Sequence, residues 1–430
     1  MSVIDTTISP HPAESKPDVR TGAFDSAIET NEQPRAISQA PRKARWPYFV
    51  NPNVSDPRRF AFLDGLRGVA SMMVVVFHLY GNVAPAVQAW IPPLIATICL
   101  KGQLGVDIFF VLSGFVIAHS VSTGERSWRY LARFGLRRSI RLDPPLWATI
   151  LVEVLLVKLS LVLYPDLATR IPEWSQILAN VTYSQRFLGI PDVVPVFWSL
   201  TYEVQFYIVL VGALVLLHKI PRSASITRAL FAIAYFYSLG IWLGAFALPV
   251  RGLFIERWFQ FALGVAAWAL FMRRITRMEF AALCTITLLA VLILSPIAYR
   301  ITSTEVALLA AVAMVFVSLT GRMETMLSGK TVQFLGRISY SLYLIHLSTG
   351  WRFISVMRKK FGPEFGPVLG SLTFVGGILV SVGAAWLMYR ALEAPSVRLA
   401  RKIRLPRSGE SPSKTAAQVY SPPEVQAVGV

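Results

Sequence analysis

Apolar residues along this chain come in long blocks, not in the three-to-four-residue stripe of a surface helix or the alternation of a half-buried strand. Ten blocks run over 63–83, 104–121, 143–163, 197–217, 229–247, 252–272, 279–295, 305–320, 334–354 and 368–389. At ~1.5 Å of rise per residue, a helix of about 20 residues matches the roughly 30 Å hydrocarbon thickness of a bilayer. Only helices and closed barrels satisfy every backbone group in lipid, and runs this long without alternation are helices. The pattern therefore predicts an all-α fold, a polytopic integral membrane bundle of about ten transmembrane helices. No repeat of fixed period is visible, which excludes a solenoid.

Composition agrees with the pattern. The 430 residues are 54% hydrophobic and 15% charged, with mean hydropathy +0.53, where a soluble domain carries about 25% charged residues. The net charge of +18 suggests nucleic acid until the charges are placed. Arg58, Arg59, an arginine cluster over 126–141, Lys219, Arg222, Arg228, Arg273, Arg274, Arg277, Arg322, Lys330 and a cluster over 398–407 all fall on alternate loops. The opposite loops hold only Lys101, Arg170, Arg186, Arg251 and Arg300, with one exception at Arg352, Arg358, Lys359 and Lys360. The positive-inside rule then puts both termini in the cytoplasm and makes the basic excess topological, so nucleic acid is not an expected partner.

The first ~45 residues lack a charged start followed by an apolar core, so they are not a signal peptide. Their polar, Pro- and Ser-rich composition predicts disorder, as does that of the C-terminal end. The expected organisation is a disordered cytoplasmic tail over 1–58, a transmembrane domain over 59–397 and a second disordered cytoplasmic tail over 398–430. The two cysteines, Cys99 and Cys284, form no motif, and neither a disulfide framework nor a metal site is supported.

Ionisable residues inside membrane helices are costly and therefore candidates for function. The first block places Arg67 near the cytoplasmic end and His78 eleven residues on. That separation is ~16 Å, close to three turns, so both side chains share one face. The pair reads either as a cation and a titratable imidazole set along one path, or as a snorkelling Arg with a hydrogen-bonded structural His. Asp107, in the outer part of the second block, is either the orienting carboxylate of His78 or a residue favoured by a helix N-terminus. Glu203, set among Trp198, Tyr202, Phe206 and Tyr207, reads as a carboxylate that supports a reacting group through a hydrogen bond or as a binder of an acceptor hydroxyl. His346, with Tyr340 and Tyr343 on nearby turns, reads as a second acid/base group or a structural hydrogen bond.

In the inner segment GERSWRYLARFGLRRSIR, residues Arg126, Arg129, Arg133, Arg137 and Arg141 fall on one helical face, and Lys is absent. Guanidinium forks suit a polyanionic cytosolic ligand such as a nucleotide cofactor; anionic lipid headgroups would be served equally. On the outer side, segment 164–196 carries Trp174, Asn180, Tyr183, Gln185 and Phe187. That mixture suits sugar recognition or a helix lying in the interface.

Taken together, FLDGLRGVASMMVVVFHLY, GVDIFFVLSGFVIAHS, RRSIRLDPP, FWSLTYEVQFY and GRISYSLYLIHL resemble the membrane acyltransferase 3 family. The resemblance runs from about 60 to 395. Members transfer acyl groups, usually acetyl, to sugars of bacterial surface polysaccharides and other glycosylated acceptors. The family's first-helix Arg-x10-His pattern falls on Arg67 and His78, and its Arg-x3-Arg motif falls on Arg137 and Arg141. One departure is RLDPP, where Asp143 precedes Pro144 in place of the usual arginine–tyrosine–proline run.

The resemblance implies an O-acyltransferase of the bacterial inner membrane with acetyl-CoA as donor, a carbohydrate or glycolipid acceptor, and no metal. Arg67, Arg137 and Arg141 are then expected to hold the cofactor phosphates. His78 is expected as general base or transient acyl carrier, supported by Asp107 and Glu203, with His346 and Tyr343 as further candidates. The rival expectation is a transporter of a small anion or acylated lipid; against it stands the absence of internal repeats and of paired broken helices.

Overall fold

The computed structural model describes residues 60–406, apart from 88–89, 123, 165–169, 218–223 and 363–365. Residues 1–58 and most of the second expected tail lie outside the described residues.

Every apolar block is helical. The first becomes α1 (Ala61–Val87). A short α2 (Pro93–Leu100) runs through a 3-10 turn into α3 (Gly105–Val121). Next come α4 (Trp128–Leu163), the short α5 (Trp174–Val181) and α6 (Gln185–Leu188), and α7 (Phe197–Leu217). The helices α8 (Ala224–Leu243), α9 (Trp258–Phe271), α10 (Arg277–Leu294) and α11 (Ala298–Leu319) follow. The chain closes with α12 (Lys330–Ile345), α13 (Arg352–Phe361), α14 (Pro367–Met388) and α15 (Ala394–Arg401). Among the described residues no strand forms, and eight helices are long and apolar enough to cross a membrane. The other two blocks, 252–272 and 334–354, form α9 and α12. These are shorter, and a 3-10 turn (Phe254–Arg257) precedes the first while a π-helical turn (Leu347–Trp351) follows the second.

Outward faces stay apolar. Leu151, Leu155 and Leu159 on α4, and Leu372, Val375 and Leu379 on α14, are all exposed. Unbroken apolar surface on this scale is unfavourable in water and is what lipid-facing helices present. The interior divides into two apolar clusters. One gathers residues of α1, α3, α4, α7, α12 and α14. The other gathers residues of α1, α3 and α8 to α11. The helices α1 and α3 belong to both, so they form the spine on which the two halves meet.

Glycines also set a close crossing of α1 on α12. A Cβ on Gly68 of α1 would stand 2.7 Å from the backbone N of Gly336 in α12, and one on Gly336 would stand 2.2 Å from Asp64 O. The same offset of 268 residues relates Gly68 to Gly336 and His78 to His346, and the two imidazoles touch. The helices α1 and α12 are therefore parallel and in register.

The arginine-rich segment is not a loop. It is the first part of α4, which runs on through Pro144 and Pro145 for 36 residues, about 54 Å. Two prolines remove the backbone donors that would serve the carbonyls of Ile140 and Arg141, and in water they would break the helix. Polar groups brace it instead. Tyr340 donates to Leu142 O at 2.7 Å, while Asp143 accepts from Ser139 and, at 2.9 Å, from Tyr183. The helix α15 packs beside α4, with Arg133 donating to Arg404 O. Order thus runs past 398, where a tail was expected to begin.

The basic residues that broke the charge pattern are mostly tied down. Arg352 pairs with Glu153 and bonds Ser160, Arg358 donates to Asn82, and Lys359 lies 3.7 Å from the centre of the Tyr164 ring.

Candidate active site

The helix register brings together two histidines from opposite ends of the sequence. His78 Nδ1 lies 2.9 Å from Val74 O and 3.1 Å from His346 Nε2. His346 Nδ1 lies 3.0 Å from Leu342 O. A carbonyl oxygen only accepts, so each Nδ1 carries its proton. His78 Nε2 is then left with a lone pair, and among the described residues it makes no hydrogen bond. His78 is half-buried and His346 fully buried. The arrangement can take a proton, or attack an electrophile, at one defined nitrogen.

Asp107 does not join this pair. Its Oδ1 accepts from Arg257 at 3.1 Å, Gln260 at 2.8 Å and Ser303 at 2.8 Å. That network joins α3 to α9, the turn before it and α11. Arg257 stands 3.9 Å over the Trp242 ring. The expected His–carboxylate contact is replaced because Arg257, which the hydropathy reading absorbed into an apolar block, claims the carboxylate.

Glu203 accepts from Ser113 at 3.0 Å, and its charge is felt at Arg67, Arg138, Tyr340 and Tyr343. The first turn of α7 is buried, with Phe197, Ser199 and Tyr202 all inside. Glu203 is thus held against α3 through Ser113, within the field of Arg67 and Arg138.

Tyr343 spans helices. Its hydroxyl sits 2.6 Å from Ser199 Oγ and donates to Val196 O at 3.1 Å, while its ring centre is 6.2 Å from that of His346.

Arg67 lies about 16 Å along α1 from His78, in a common field with Arg138 and Arg141 of α4. Arg67 pairs loosely with Asp64 at 3.5 Å, and the charges of Arg141, Glu203 and Glu393 act on it. Arg137 is half-buried one turn before Arg141. Two participants escaped the sequence reading. Arg138, which stacks by Phe134 and Tyr207 at 5.5 and 5.9 Å, shares the field of Arg67 and Arg141. Its signal was the RR doublet itself. Glu393 accepts from Ser341 N and Oγ at 3.3 and 2.6 Å within a π-helical turn, Tyr389–Glu393. A lone acid in a basic stretch marked it. An open cavity reaches Arg67 beside Asp64, lined also by Phe60, Leu63, Phe115 and His119.

Segment 164–196 is mostly self-supporting. Asn180 is buried and bonds Gln176, Pro191 and Val193. Gln185 is buried and donates to Asp192 and Thr201. Tyr183 reaches down to Asp143. Trp174 and Phe187 stay exposed.

A family model described as an acyltransferase domain, of the acyltransferase 3 type, matches residues 60–390. The chain is 31% identical over 160 residues to the peptidoglycan O-acetyltransferase OatA of Listeria monocytogenes, covering 34% of this chain and 23% of that one. It is 30% identical over 200 residues to the O-acetyltransferase OatA of Staphylococcus aureus, covering 43% and 29%. A protein of Komagataeibacter xylinus named as a proposed membrane-bound transacylase, BcsY, is 27% identical over 241 residues, covering 54% and 56%. The chain spans less than a third of the length of the two O-acetyltransferases. No solved structure matches it.

Proposed function

The chain belongs to the acyltransferase 3 family, and from that premise we propose that it is a membrane O-acyltransferase working across the bundle. The donor is an acyl-CoA, with acetyl as the acyl group, and the acceptor is a sugar hydroxyl of a surface polysaccharide, oligosaccharide or glycolipid. The arginine-rich end of the bundle faces the cytoplasm and the setting is the inner membrane of a bacterium, with both termini cytoplasmic.

One observation carries the reading. His78 Nδ1 faces two acceptors, Val74 O and His346 Nε2, so Nε2 is free on the same helix face as Arg67. Arg67, Arg137, Arg138 and Arg141 supply planar forks suited to phosphates; Arg67 lines an open cavity, and Arg138 and Arg141 lie within its electrostatic reach. Glu203 and Glu393 lie in the field of Arg67, and each is held by a serine hydroxyl, Ser113 and Ser341.

In the transfer, the acceptor oxygen attacks the thioester carbon while His78 Nε2 takes the hydroxyl proton. The C–O bond forms, the C–S bond breaks, and the proton passes from Nε2 to the leaving thiolate. A route through an acyl-imidazole begins from the same nitrogen. The named activities of the relatives, acetylation of peptidoglycan among them, support a carbohydrate acceptor. Asp107, bound to Arg257, serves the fold and not the imidazole.

Acetyl-labelled acetyl-CoA supplied to inverted membrane vesicles carrying the chain tests this. Label appearing on glycan or glycolipid supports transfer. Label accumulating inside the vesicles with none esterified would support the transporter reading and overturn this one.

A further inference from the structure

We propose that His346 is a positioning residue that holds His78 in its Nδ1-protonated tautomer and ring orientation during turnover, the orienting part of the work a buried carboxylate does in a Ser-His-Asp triad. The geometry is specific. Val74 O is an acceptor within His78's own helix, four residues back, where it also serves the backbone ladder. His346 Nε2, 3.1 Å away, is the acceptor that comes from outside α1. Its lone pair is exposed toward His78 because Leu342 O holds the proton on the other nitrogen of His346.

The chain around His346 is built to place it. The π-helical turn starts at the next residue, and Trp351 N donates to His346 O at 3.0 Å. Such turns are rare and concentrate at functional sites. A Cβ on Gly350 within that turn would lie 2.3 Å from Gly377 O of α14, so α14 presses the turn against α1. On the other side, the Gly68–Gly336 crossing fixes the register. His346 is completely buried, and no carboxylate or cation bonds either imidazole among the described residues.

The proton inventory closes. When the acceptor proton reaches His78 Nε2, the Nδ1 proton stays on His78, held between Val74 O and His346 Nε2. When the thiolate takes the proton from Nε2, His78 is again neutral with its proton on Nδ1. No other donor, acceptor or oxidant is needed.

This inference rests on the acyl-transfer reading only for its kinetic readout; the tautomer is measured without donor or acceptor. Nitrogen-15 spectra of His-labelled chain contain five histidines, and the signals missing in His78→Ala identify His78. In the native chain His78 shows a protonated Nδ1 and a bare Nε2. In His346→Phe, which fills the space without an acceptor, His78 shows both tautomers, and kcat falls about 10–100-fold with KM for the donor little changed. In His346→Gln, whose amide oxygen can take the place of Nε2, the single tautomer returns and most of kcat with it. A protonated Nε2 on His78 in the native chain, or equal activity of the Phe and Gln variants, would overturn the proposal. Should His346→Phe not insert, the His346→Gln spectrum decides: a mixture of tautomers there sinks it. If the tautomer holds while His78→Ala still transfers, it is the acyl-transfer assignment that fails.

Discussion

A single methyl group at Gly336 should separate the two histidines. In Gly336→Ala the added Cβ meets Asp64 O at 2.2 Å and Asp64 C at 2.7 Å. Both are backbone atoms of α1, so neither can swing aside. Ordinary contact begins near 3.4 Å, which requires the helices to part by about 1.2 Å. If they part as rods, His78 Nδ1 moves from 3.1 Å to about 4.3 Å from His346 Nε2, beyond hydrogen-bond reach. Overpacking of this kind costs about 1–3 kcal/mol, which a bundle of this size should survive. Misplacement by ~1 Å near reacting atoms lowers rates by about 100-fold. The assay compares the transfer rate per inserted molecule for Gly336→Ala, native chain and Gly212→Ala. Gly212 lies in α7 with nothing within 4 Å of its notional Cβ, so that variant should transfer normally. Full activity of Gly336→Ala, inserted at native levels, would refute the claim that this crossing sets the imidazole pair.

Other consequences are open to simpler measurement. Arg141→Ala should raise KM for acyl-CoA about tenfold, as expected for a lost charge-assisted hydrogen bond, and Arg141→Lys should recover only part of it because the fork is gone. Arg257→Leu strands a buried Asp107 carboxylate and should lower thermal stability in detergent by about 3–5 kcal/mol, whereas pairing it with Asp107→Leu should recover much of the loss. Tyr343→Phe removes a hydroxyl shared by Ser199 and Val196 O. It should cost about 1–2 kcal/mol and leave transfer by the folded protein close to native.

The bundle was legible because lipid demands long apolar runs, and all ten became helices. Their faces were not. Hydropathy registers that 252–272 is apolar, but not that Arg257 at its edge captures Asp107 from α3. Charge spacing selected Arg137 and Arg141 as a stripe, yet one residue of rotation brings Arg138 into the same interior field. Two prolines after Arg141 would ordinarily break a helix; the hydroxyl of Tyr340 on Leu142 O and the Asp143 contacts with Ser139 and Tyr183 brace α4 through them. Likewise, Asn180 and Gln185 had the composition of sugar binders, and their amides are consumed in holding their own segment together. The two histidines were each visible, but their contact depends on a crossing of small residues whose partners lie 268 positions apart. Polar pairing across helices is where a one-dimensional reading runs out.

The central claim is that His78 Nε2 performs the proton transfer or the attack. Purified chain reconstituted in liposomes, with labelled acetyl-CoA confined to the arginine-rich side and a sugar acceptor on the other, measures it directly. His78→Ala should insert with a native protease-protection pattern and lose transfer by a factor of about 100–10,000, the range for a positioned acid–base group. Transfer at the native rate by that inserted variant would contradict the account.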